Sequence, residues 1–382
     1  MRDGLVTTIE INLDNLLHNY QLTKKHVQPA EVYAVVKSEA YGHGAVPTAQ
    51  FLQEHGCQSF AVATVDEGIQ LRNAGIEGNI LIMGATLPDQ FPLLADHELT
   101  PVVADLDRMK AWGGFARQRS ERLPYHIKVD VGLGRMGLLP GRGEEAAETA
   151  YQLREHIDLV GVGSHLSYPG GGVQHNREEQ ERFEQFCAPF EQHFFHLKRH
   201  LAASQAAARF DDMHYEMVRI GGLLYGFRHF DPSPLDLRGV MTFRTEVAQV
   251  KTLPAGWWIG YGRKRKVTEP TRVALLPMGW TDGLTSYHMD STELLVRGTP
   301  CPLVGVCTDF AMLDVSGVSE VKIGNEVILI GEQGGRTITP IQLGKGADIS
   351  TGQLLGKLSI RVPRLYFLAG EYQQELSILN YR

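Results

Sequence analysis

Short apolar runs alternate with longer amphipathic stretches along the first 235 or so residues of the chain. The longer stretches, such as VDEGIQLRNAG (65–75) and NREEQERFEQFCAPFEQHFFHLKR (176–199), carry apolar residues three and four positions apart, as one face of a helix requires. Eight apolar runs have the length of a buried strand: VYAVVK (32–37), FAVAT (60–64), NILIMG (79–84), TPVVAD (100–105), YHIKVD (125–130), LVGVGSHL (159–166), RHLAAS (199–204) and YEMVRIGG (215–222). Eight strands that alternate with helices predict a closed α/β barrel of the TIM type.

From about residue 237 the pattern changes to shorter runs in which apolar and polar residues alternate, punctuated by Gly and Pro. The runs are GVMTFRTEVAQVKTL, TRVALLPMGW, ELLVRG, CPLVGVC and EVILIG. This alternating pattern predicts a mostly antiparallel β domain over 237–382 after a barrel domain over 1–236. We expect the first 12 or so residues to join the β domain.

Composition narrows the function classes. The 382 residues carry a net charge of −7, with a pI of about 6.1 and no excess of Lys and Arg, which argues against nucleic acid or an anionic membrane as partner. The one compact basic run, GRKRKV (262–267), is interpreted as a solvated loop face. The amino terminus lacks the apolar core of a signal peptide, and no apolar stretch reaches the roughly 20 residues of a membrane span. We therefore expect a cytoplasmic protein. The four cysteines lack metal-ligand or disulfide spacing, so neither kind of site is predicted.

Polar residues mark the ends of four predicted barrel strands. Lys37, His165 and Ser204 close three of them, and Arg219 is followed by Gly221 and Gly222. Barrel enzymes place their catalytic groups at these carboxyl ends and often build a phosphate site after the last two strands. Consecutive glycines give an anion close access to backbone N–H groups, and the Ser204 hydroxyl adds a donor. A phosphate site opposite a partly desolvated amine is what pyridoxal 5'-phosphate requires.

The motif that contains Lys37, AVVKSEAYGHG (34–44), resembles the cofactor-lysine signature of the alanine racemase family. The resemblance extends through KVDVGLGRMG, GSHLS, HLAAS, VRIGGLLYG, GYGR, MGWTDG, CTDFAMLDVS and RVPR, and so covers almost the whole chain. It implies an α/β barrel with a carboxy-terminal β domain, a head-to-tail homodimer, and racemisation of alanine with the D-enantiomer used in cell-wall synthesis.

The resemblance also implies residue roles. Lys37 would be the Schiff-base lysine and one catalytic base, and Tyr261 of the partner subunit would be the second base. The remaining roles are phosphate binding by Tyr41, Ser204, Gly221 and Gly222, a hydrogen bond from Arg219 to the pyridine nitrogen with support from His200, ring contact by His165, and substrate binding by Arg135, with Lys128 behind it as a site of carbamylation.

Two bases suit the chemistry of racemisation, because the α proton must leave one face of the substrate and return to the other. The ordinary pKa values of a lysine amine and a phenol are about 10, so nearby cations and desolvation must lower them for work near neutrality. An arginine at the pyridine nitrogen cannot accept its proton, which keeps the ring neutral and disfavours transamination.

Four positions depart from the family pattern. Trp280 stands where a tyrosine is common, and Thr308 replaces a methionine whose backbone N–H meets the substrate carboxylate, a role that Thr308 can keep. Ala203 replaces an asparagine, and Gly352 stands where a tyrosine narrows the entrance. Loss of so large a side chain opens volume. We therefore hypothesise a broader substrate range that includes amino acids such as serine.

Other interpretations remain open. GLGRMG (132–137) matches a dinucleotide fingerprint, but Pro140 and Gly141 follow where a helix should open. The spacing of His193, His196 and His200 suggests a metal, but no carboxylate completes the set, and we predict no metal site. HLSYPGGG (165–172) is either a lid or a turn. A decarboxylase would share the lysine, and a non-catalytic cofactor-binding protein would not need the Tyr261 phenol.

Overall fold

The computed structural model describes residues 4–228 and 234–380 and divides into two compact units. The barrel unit contains Leu17–Ala40 and Ala45–Leu237. The β unit contains the segment that ends at Leu16, the short segment Tyr41–Gly44, and the segment that begins at Arg238. None of the helices in the described ranges is long and apolar enough to cross a membrane.

The β unit receives the first strand of the chain, β1 (Thr8–Asn12), and the barrel unit holds eight parallel strands. Their bounds are β2 (Glu31–Val35), β3 (Ser59–Val62), β4 (Asn79–Ile82), β5 (Thr100–Val103), β6 (Leu123–Lys128), β7 (Ile157–Gly163), β8 (Lys198–His200) and β9 (Met217–Ile220). They hydrogen-bond in the order β8-β7-β6-β5-β4-β3-β2-β9, and a bridge between Ala203 and Arg219 brings β8 and β9 together. The predicted fold class, an eight-stranded α/β barrel followed by a β domain, is confirmed.

Most of the strands, such as β3 and β9, are largely apolar because consecutive side chains, which point to opposite faces, are buried. β8 differs, because its residues Lys198 and Arg199 are only half-buried. The helices in this part of the chain are α1 (Leu13–His26), α2 (Lys37–Gly42), α3 (Ala45–Glu54), α4 (Val65–Asn73), α5 (Phe91–Asp96), α6 (Leu106–Arg119), α7 (Gly143–Leu153), α8 (Val173–Cys187) and α9 (Ser204–Ala207). Several begin at side chains that accept orphan N–H groups, such as Thr64 before α4 and Asp105 before α6.

The β unit is built on one large sheet, in the order β11-β14-β17-β16-β15-β18-β10-β1-β20-β21, with β19 paired to β18. A cluster that includes Leu253, Val273 and Val304 forms part of its core. The strands are β10 (Met241–Glu246), β11 (Gln249–Leu253), β12 (Trp258–Ile259), β13 (Arg265–Lys266), β14 (Thr271–Leu276), β15 (Glu293–Val296), β16 (Thr299–Val306), β17 (Ala311–Asp314), β18 (Glu326–Gln333), β19 (Arg336–Ile338), β20 (Arg364–Leu368) and β21 (Glu371–Leu376), and two helices join them, α10 (Pro340–Gly346) and α11 (Thr351–Leu355). All pairs in the sheet are antiparallel except β1 with β20.

Candidate active site

The predicted strand ends lie slightly beyond the ends of the strand ladders. β2 stops at Val35, so Lys37 opens the next turn, and β8 stops at His200, so Ser204 begins α9. The apolar pattern extends farther than the ladder because Val36 and Leu201 stay fully buried after the parallel pairing has ended. All of these residues still follow the carboxyl ends of barrel strands, where active sites of this fold are built.

Lys37 is followed by a left-handed turn. Ser38, Glu39, Ala40 and Tyr41 all have φ between 50° and 54°, and Gly42 has φ of 80°. A left-handed helical conformation costs roughly 1–2 kcal/mol for each non-glycine residue. Four such residues in succession therefore need strong support from their surroundings, which is a common property of functional sites.

Glu67 supplies part of that support. Its Oε1 accepts the Ser38 N–H at 2.6 Å, while its Oε2 accepts the N–H groups of Ala63 at 2.7 Å and Thr64 at 3.1 Å. Glu67 also completes the capping box of α4 with Thr64. One carboxylate thus connects the start of a barrel helix to the turn that carries Lys37.

The Lys37 side chain is half-buried. Burial lowers its pKa, and the positive charges of Arg135 and Arg219 lower it further, while Glu67 opposes them. A larger fraction of neutral amine at neutral pH makes Lys37 a better nucleophile and base than an exposed lysine.

Arg219, on β9, is almost fully buried in the barrel unit. Its Nη1 donates to the carbonyl of His200 at 2.9 Å, and its Nη2 donates to the carbonyl of Ser164 at 2.6 Å and, weakly, to His165 Nδ1 at 3.4 Å. Burial and the neighbouring Arg135 charge lower its pKa to about 10, so Arg219 is still cationic at neutral pH. Its partners in the described part of the chain are neutral, and the guanidinium is therefore a charged donor that no carboxylate offsets.

Two buried histidines, His200 and His126, extend the hydrogen-bond network of Arg219. Arg219 Nη1 lies 2.5 Å from His200 Nδ1, and His200 Nε2 lies 2.9 Å from His126 Nδ1. Arginine only donates, so His200 Nδ1 must accept, and the His200 proton must be on Nε2, from which it is donated to His126. Burial and nearby cations lower the pKa of His126 to about 3 and that of His200 well below its ordinary value, so both rings are neutral.

The predicted phosphate residues of the barrel unit lie together. The Ser204 hydroxyl accepts the Gly221 N–H at 3.0 Å and the Leu223 N–H at 3.4 Å, and Gly222 lies between these two residues in the chain. The Gly221 amide is therefore engaged by Ser204, whereas the sequence suggested that it would be free. The hydroxyl hydrogen of Ser204 remains available to an anion.

Lys128 and Arg135 flank a tight loop after β6. The Lys128 amine donates to the Val129 carbonyl at 2.7 Å, and burial together with the charge of Arg219 lowers its pKa to about 7. Asp130 accepts the backbone N–H groups of Gly132, Leu133 and Gly134 on Oδ1, and that of Arg135 at 2.5 Å on Oδ2. Although partial burial opposes the change, these four hydrogen bonds lower the pKa of the Asp130 carboxyl.

A buried carboxylate connects this loop to the HLSYPGGG segment. Glu179, on α8, is fully buried, and its Oε2 accepts the Ser167 N–H at 2.8 Å. Its Oε1 lies 3.3 Å from Nε2 of His175, whose side chain is 46% exposed, and a Cβ on Gly132 would be 2.2 Å from that same oxygen. Only glycine allows the loop to approach Glu179 this closely.

In the β unit, Tyr41 lies near Gly352. A Cβ on Gly352 would be 3.9 Å from Tyr41 Cε1, and in the described part of the chain it would meet no other atom within 4 Å. Gly352 is also exposed. There is therefore open space where a larger side chain would extend over Tyr41.

Tyr261 is 67% exposed, and its ring centroid lies 6.0 Å from that of Trp280. Gly260 and Gly262 both have positive φ, so the backbone turns sharply on each side of the phenol. The Thr308 carbonyl accepts the Thr281 N–H at 3.2 Å and its hydroxyl at 2.9 Å, which fixes the loop after Trp280.

The barrel unit thus brings together Lys37, Arg135, Lys128, His165, His200, Ser204 and Arg219, with Ala203 beside Arg219 in the ladder. Tyr41, Tyr261, Trp280, Thr308 and Gly352 belong to the β unit. Sequence reasoning missed Glu67, Asp130, His126 and Glu179. Only Glu67 had a local signal, because TVDE (64–67) matches a capping box.

Comparison with known proteins gives matches over nearly the whole chain. Residues 11–229 match the family described as alanine racemase, N-terminal domain, and residues 240–366 match alanine racemase, C-terminal domain. Alanine racemase 2 of Caldanaerobacter subterraneus subsp. tengcongensis is 35% identical over 371 residues, which cover 96% of each chain.

Solved structures agree with the sequence matches. Alanine racemase of Clostridium difficile 630 superposes with a TM-score of 0.90 at 29% identity, and the match covers 98% of this chain and 99% of that one. Alanine racemase of Bartonella henselae, solved with covalently bound pyridoxal phosphate, superposes with a TM-score of 0.87 over 95% of this chain and 100% of that one. The two sequences are 23% identical, so this similarity supports the fold alone.

Proposed function

The chain belongs to the alanine racemase family of pyridoxal-phosphate-dependent isomerases, and on that premise we propose that it interconverts L- and D-alanine. The observation that carries the proposal is the half-buried Lys37, whose pKa is lowered by burial and by two arginines, at the carboxyl end of a barrel strand. Such an amine is suited to covalent attachment of an aldehyde and to proton transfer near neutral pH.

The barrel residues fit pyridoxal phosphate. Lys37 would hold its aldehyde carbon, and Ser204 and Gly222 would bind its phosphate, with Gly221 positioning the Ser204 hydroxyl through its N–H. The family resemblance adds Tyr41 as a further phosphate ligand. The fit rests on two observations. The Ser204 hydroxyl accepts the Gly221 N–H and keeps its own hydrogen for an anion, and the hydrogen-bond partners of buried Arg219 are neutral. When bound, the cofactor withdraws electrons from the substrate's α carbon and so acidifies the α proton.

Arg219 is proposed to donate a hydrogen bond to the pyridine nitrogen, with His200 and His126 fixing its orientation and His165 against the ring. With a pKa of about 10, Arg219 stays a donor throughout the physiological range. It would therefore leave the pyridine nitrogen unprotonated, which would weaken electron withdrawal and favour proton return to the α carbon over transamination.

Two bases from two subunits complete the proposed mechanism. The Lys37 amine, once the substrate amine has replaced it, would take the α proton of one enantiomer. The phenolate of Tyr261 of the partner subunit would take that of the other, in a head-to-tail homodimer. The high exposure of Tyr261 in a single chain is consistent with a role in a neighbouring subunit. Arg135 and the backbone N–H of Thr308 would bind the substrate carboxylate, and a carbamylated Lys128 would hold Arg135.

Chiral chromatography after incubation of the purified dimer with L-alanine, and separately with D-alanine, tests the function. We expect the same mixture from both directions. Carbon dioxide release from L-alanine would indicate a decarboxylase, and cofactor absorbance without turnover would indicate a non-catalytic binder.

The Tyr261→Phe variant tests the two-base assignment. We expect it to keep the visible absorbance of the cofactor and to lose solvent exchange of the α proton on one enantiomer only, because the phenol acts on one face. Tyr287→Phe, at another exposed tyrosine of the same unit, is the matched control and should behave like the wild type. Unchanged racemisation by Tyr261→Phe would refute the assignment.

The open space at Gly352 supports a second candidate, racemisation of larger amino acids such as serine. Gly352→Tyr should lower kcat/KM for L-serine more than for L-alanine, because it restores a bulky side chain beside Tyr41. Gly317→Tyr, at an exposed glycine of the same unit, is the control. Equal loss for both substrates, or strict preference of the wild type for alanine, would exclude this candidate.

A further inference from the structure

Two histidines and an aspartate converge at the amino-terminal end of the barrel strands. His26 is the last residue of α1 and precedes β2, while Asp211 and His214 lie in the segment before β9. Their ligand atoms all lie within 4.8 Å of one another, and His26 Nε2 lies 3.9 Å from Asp211 Oδ1. The group is separate from the proposed active site, because Lys37 follows the opposite, carboxyl end of β2.

A fourth potential ligand, a carbonyl oxygen, contacts both imidazoles. The Ala207 carbonyl is 3.1 Å from His26 Nε2 and 2.8 Å from His214 Nε2. Ligands of a tetrahedral zinc ion with bonds of about 2.0–2.1 Å are roughly 3.3 Å apart, so these separations are near those of a formed site. The distance that must shorten on zinc binding is the 3.9 Å between Asp211 Oδ1 and His26 Nε2. The Asp211 side chain is 85% exposed, so it can rotate toward the histidines at little cost.

We propose that His26, Asp211, His214 and the Ala207 carbonyl form a binding site for Zn²⁺. Two imidazole nitrogens, a carboxylate and a carbonyl oxygen are borderline ligands that suit zinc, whereas Mg²⁺ and Ca²⁺ prefer oxygen throughout. Zinc requires a bare Nε2 on each ring, so both imidazoles carry their proton on Nδ1 when the ion is bound.

The site connects two segments that are distant in sequence. Zinc would join the end of α1 to the segment that leads into β9, the strand that carries Arg219. An ion bound only by the folded chain stabilises it by mass action, and the group lies at the opposite end of β2 from Lys37, so we assign the site a structural role.

The test uses cofactor-loaded enzyme stripped of metal by a chelating resin and titrated with ZnCl₂ in a calorimeter. We expect one zinc per chain and a higher thermal midpoint with zinc, with no comparable rise for MgCl₂ or CaCl₂. His26→Gln and Asp211→Asn should each weaken zinc affinity at least about tenfold, because each removes one ligand. His196→Gln, at an exposed histidine outside the group, is the matched control and should bind as the wild type does.

Asp211→Asn also keeps the proposal testable if a histidine variant folds poorly, since this exposed side chain contributes little to packing. We expect its racemisation rate to equal that of the wild type, so failure of the zinc site and failure of the proposed function can be told apart. The inference is wrong if the wild type binds no zinc, or if His26→Gln and Asp211→Asn bind it unchanged, which would place the ion elsewhere.

Discussion

Glu179→Gln tests whether the buried carboxylate holds the loop that carries Arg135. The wild-type Oε1 is enclosed by Gly132 and lies 3.3 Å from His175 Nε2, while Oε2 accepts the Ser167 N–H. A glutamine amide must place its NH₂ either at the Oε1 position, packed against Gly132 and 3.3 Å from His175 Nε2, which the Ser167 hydroxyl also contacts at 2.8 Å, or against the Ser167 N–H, which is itself a donor. The first orientation offers the amide at best one long, shared hydrogen bond to His175, and the second sets two donors against each other.

The expected cost follows from these contacts. A buried, unsatisfied amide donor costs about 1–3 kcal/mol. Loss of the contact with His175, which is an ion pair only when that imidazole is protonated, adds at most about 1 kcal/mol, because that side chain is 46% exposed and screened by water. A domain of this size loses about 2–4 °C in Tm for each kcal/mol, so the midpoint should fall by roughly 2–16 °C.

Differential scanning calorimetry of four proteins measures the effect: wild type, Glu179→Gln, His175→Gln and the double variant. We expect the two single changes to couple by about 0.5–3 kcal/mol, because both act on one buried oxygen. Glu178→Gln, at the exposed neighbouring residue, should stay within about 0.5 kcal/mol of the wild type. If Glu179→Gln were as stable as Glu178→Gln, or if the cycle were strictly additive, the reasoning would be refuted.

Three further predictions concern the same unit. Asp130→Ala removes four hydrogen bonds from the Arg135 loop, so kcat/KM should fall at least about tenfold with cofactor absorbance retained; an unchanged kcat/KM would count against the loop's role. With a pKa of about 7, the Lys128 amine is mostly neutral at pH 8 and mostly charged at pH 6. Bicarbonate added to carbon-dioxide-depleted enzyme should therefore raise activity at pH 8 but not at pH 6, and a similar response from Lys128→Met would contradict carbamylation there. Because buried His126 and His200 stay neutral where unfolded histidines take up protons, the free energy of unfolding should fall below about pH 6.5, by up to about 1.4 kcal/mol per pH unit for each residue. Urea titrations at pH 7.5 and 5.5 measure this fall, and an equal fall in His126→Phe would contradict the assignment.

Much of the fold could be predicted because buried parallel strands leave a plain signal. All eight apolar runs of the first 235 or so residues contain barrel strands, and the alternating runs from residue 237 onward contain strands of the β unit. The resemblance carried by AVVKSEAYGHG and the later motifs is confirmed by the family matches. β1 could not be paired from its sequence, because its partners β10 and β20 lie more than 200 residues away.

The site residues that the sequence did not reveal escaped prediction for related physical reasons. Asp130 and Glu179 work through backbone N–H groups, and any residue type can supply those, so no pattern of side chains reveals them. The link from His200 to His126 joins β8 to β6 across the intervening strand β7, and the two residues are 74 positions apart in sequence. The left-handed turn after Lys37 is imposed by the surroundings on residues with no preference for it.

That turn reverses the usual effect of glycine on stability. Four non-glycine residues at about 1–2 kcal/mol each represent roughly 4–8 kcal/mol of conformational strain, comparable with the whole folding free energy of many proteins. Replacing Ser38 by glycine, which would weaken an ordinary helix, should relieve part of that strain. It would also let the backbone next to Lys37 sample more conformations. A search for thermostable variants of this protein should therefore select glycine in this turn and recover slower enzymes, an opposition between stability and rate that is set by four backbone angles.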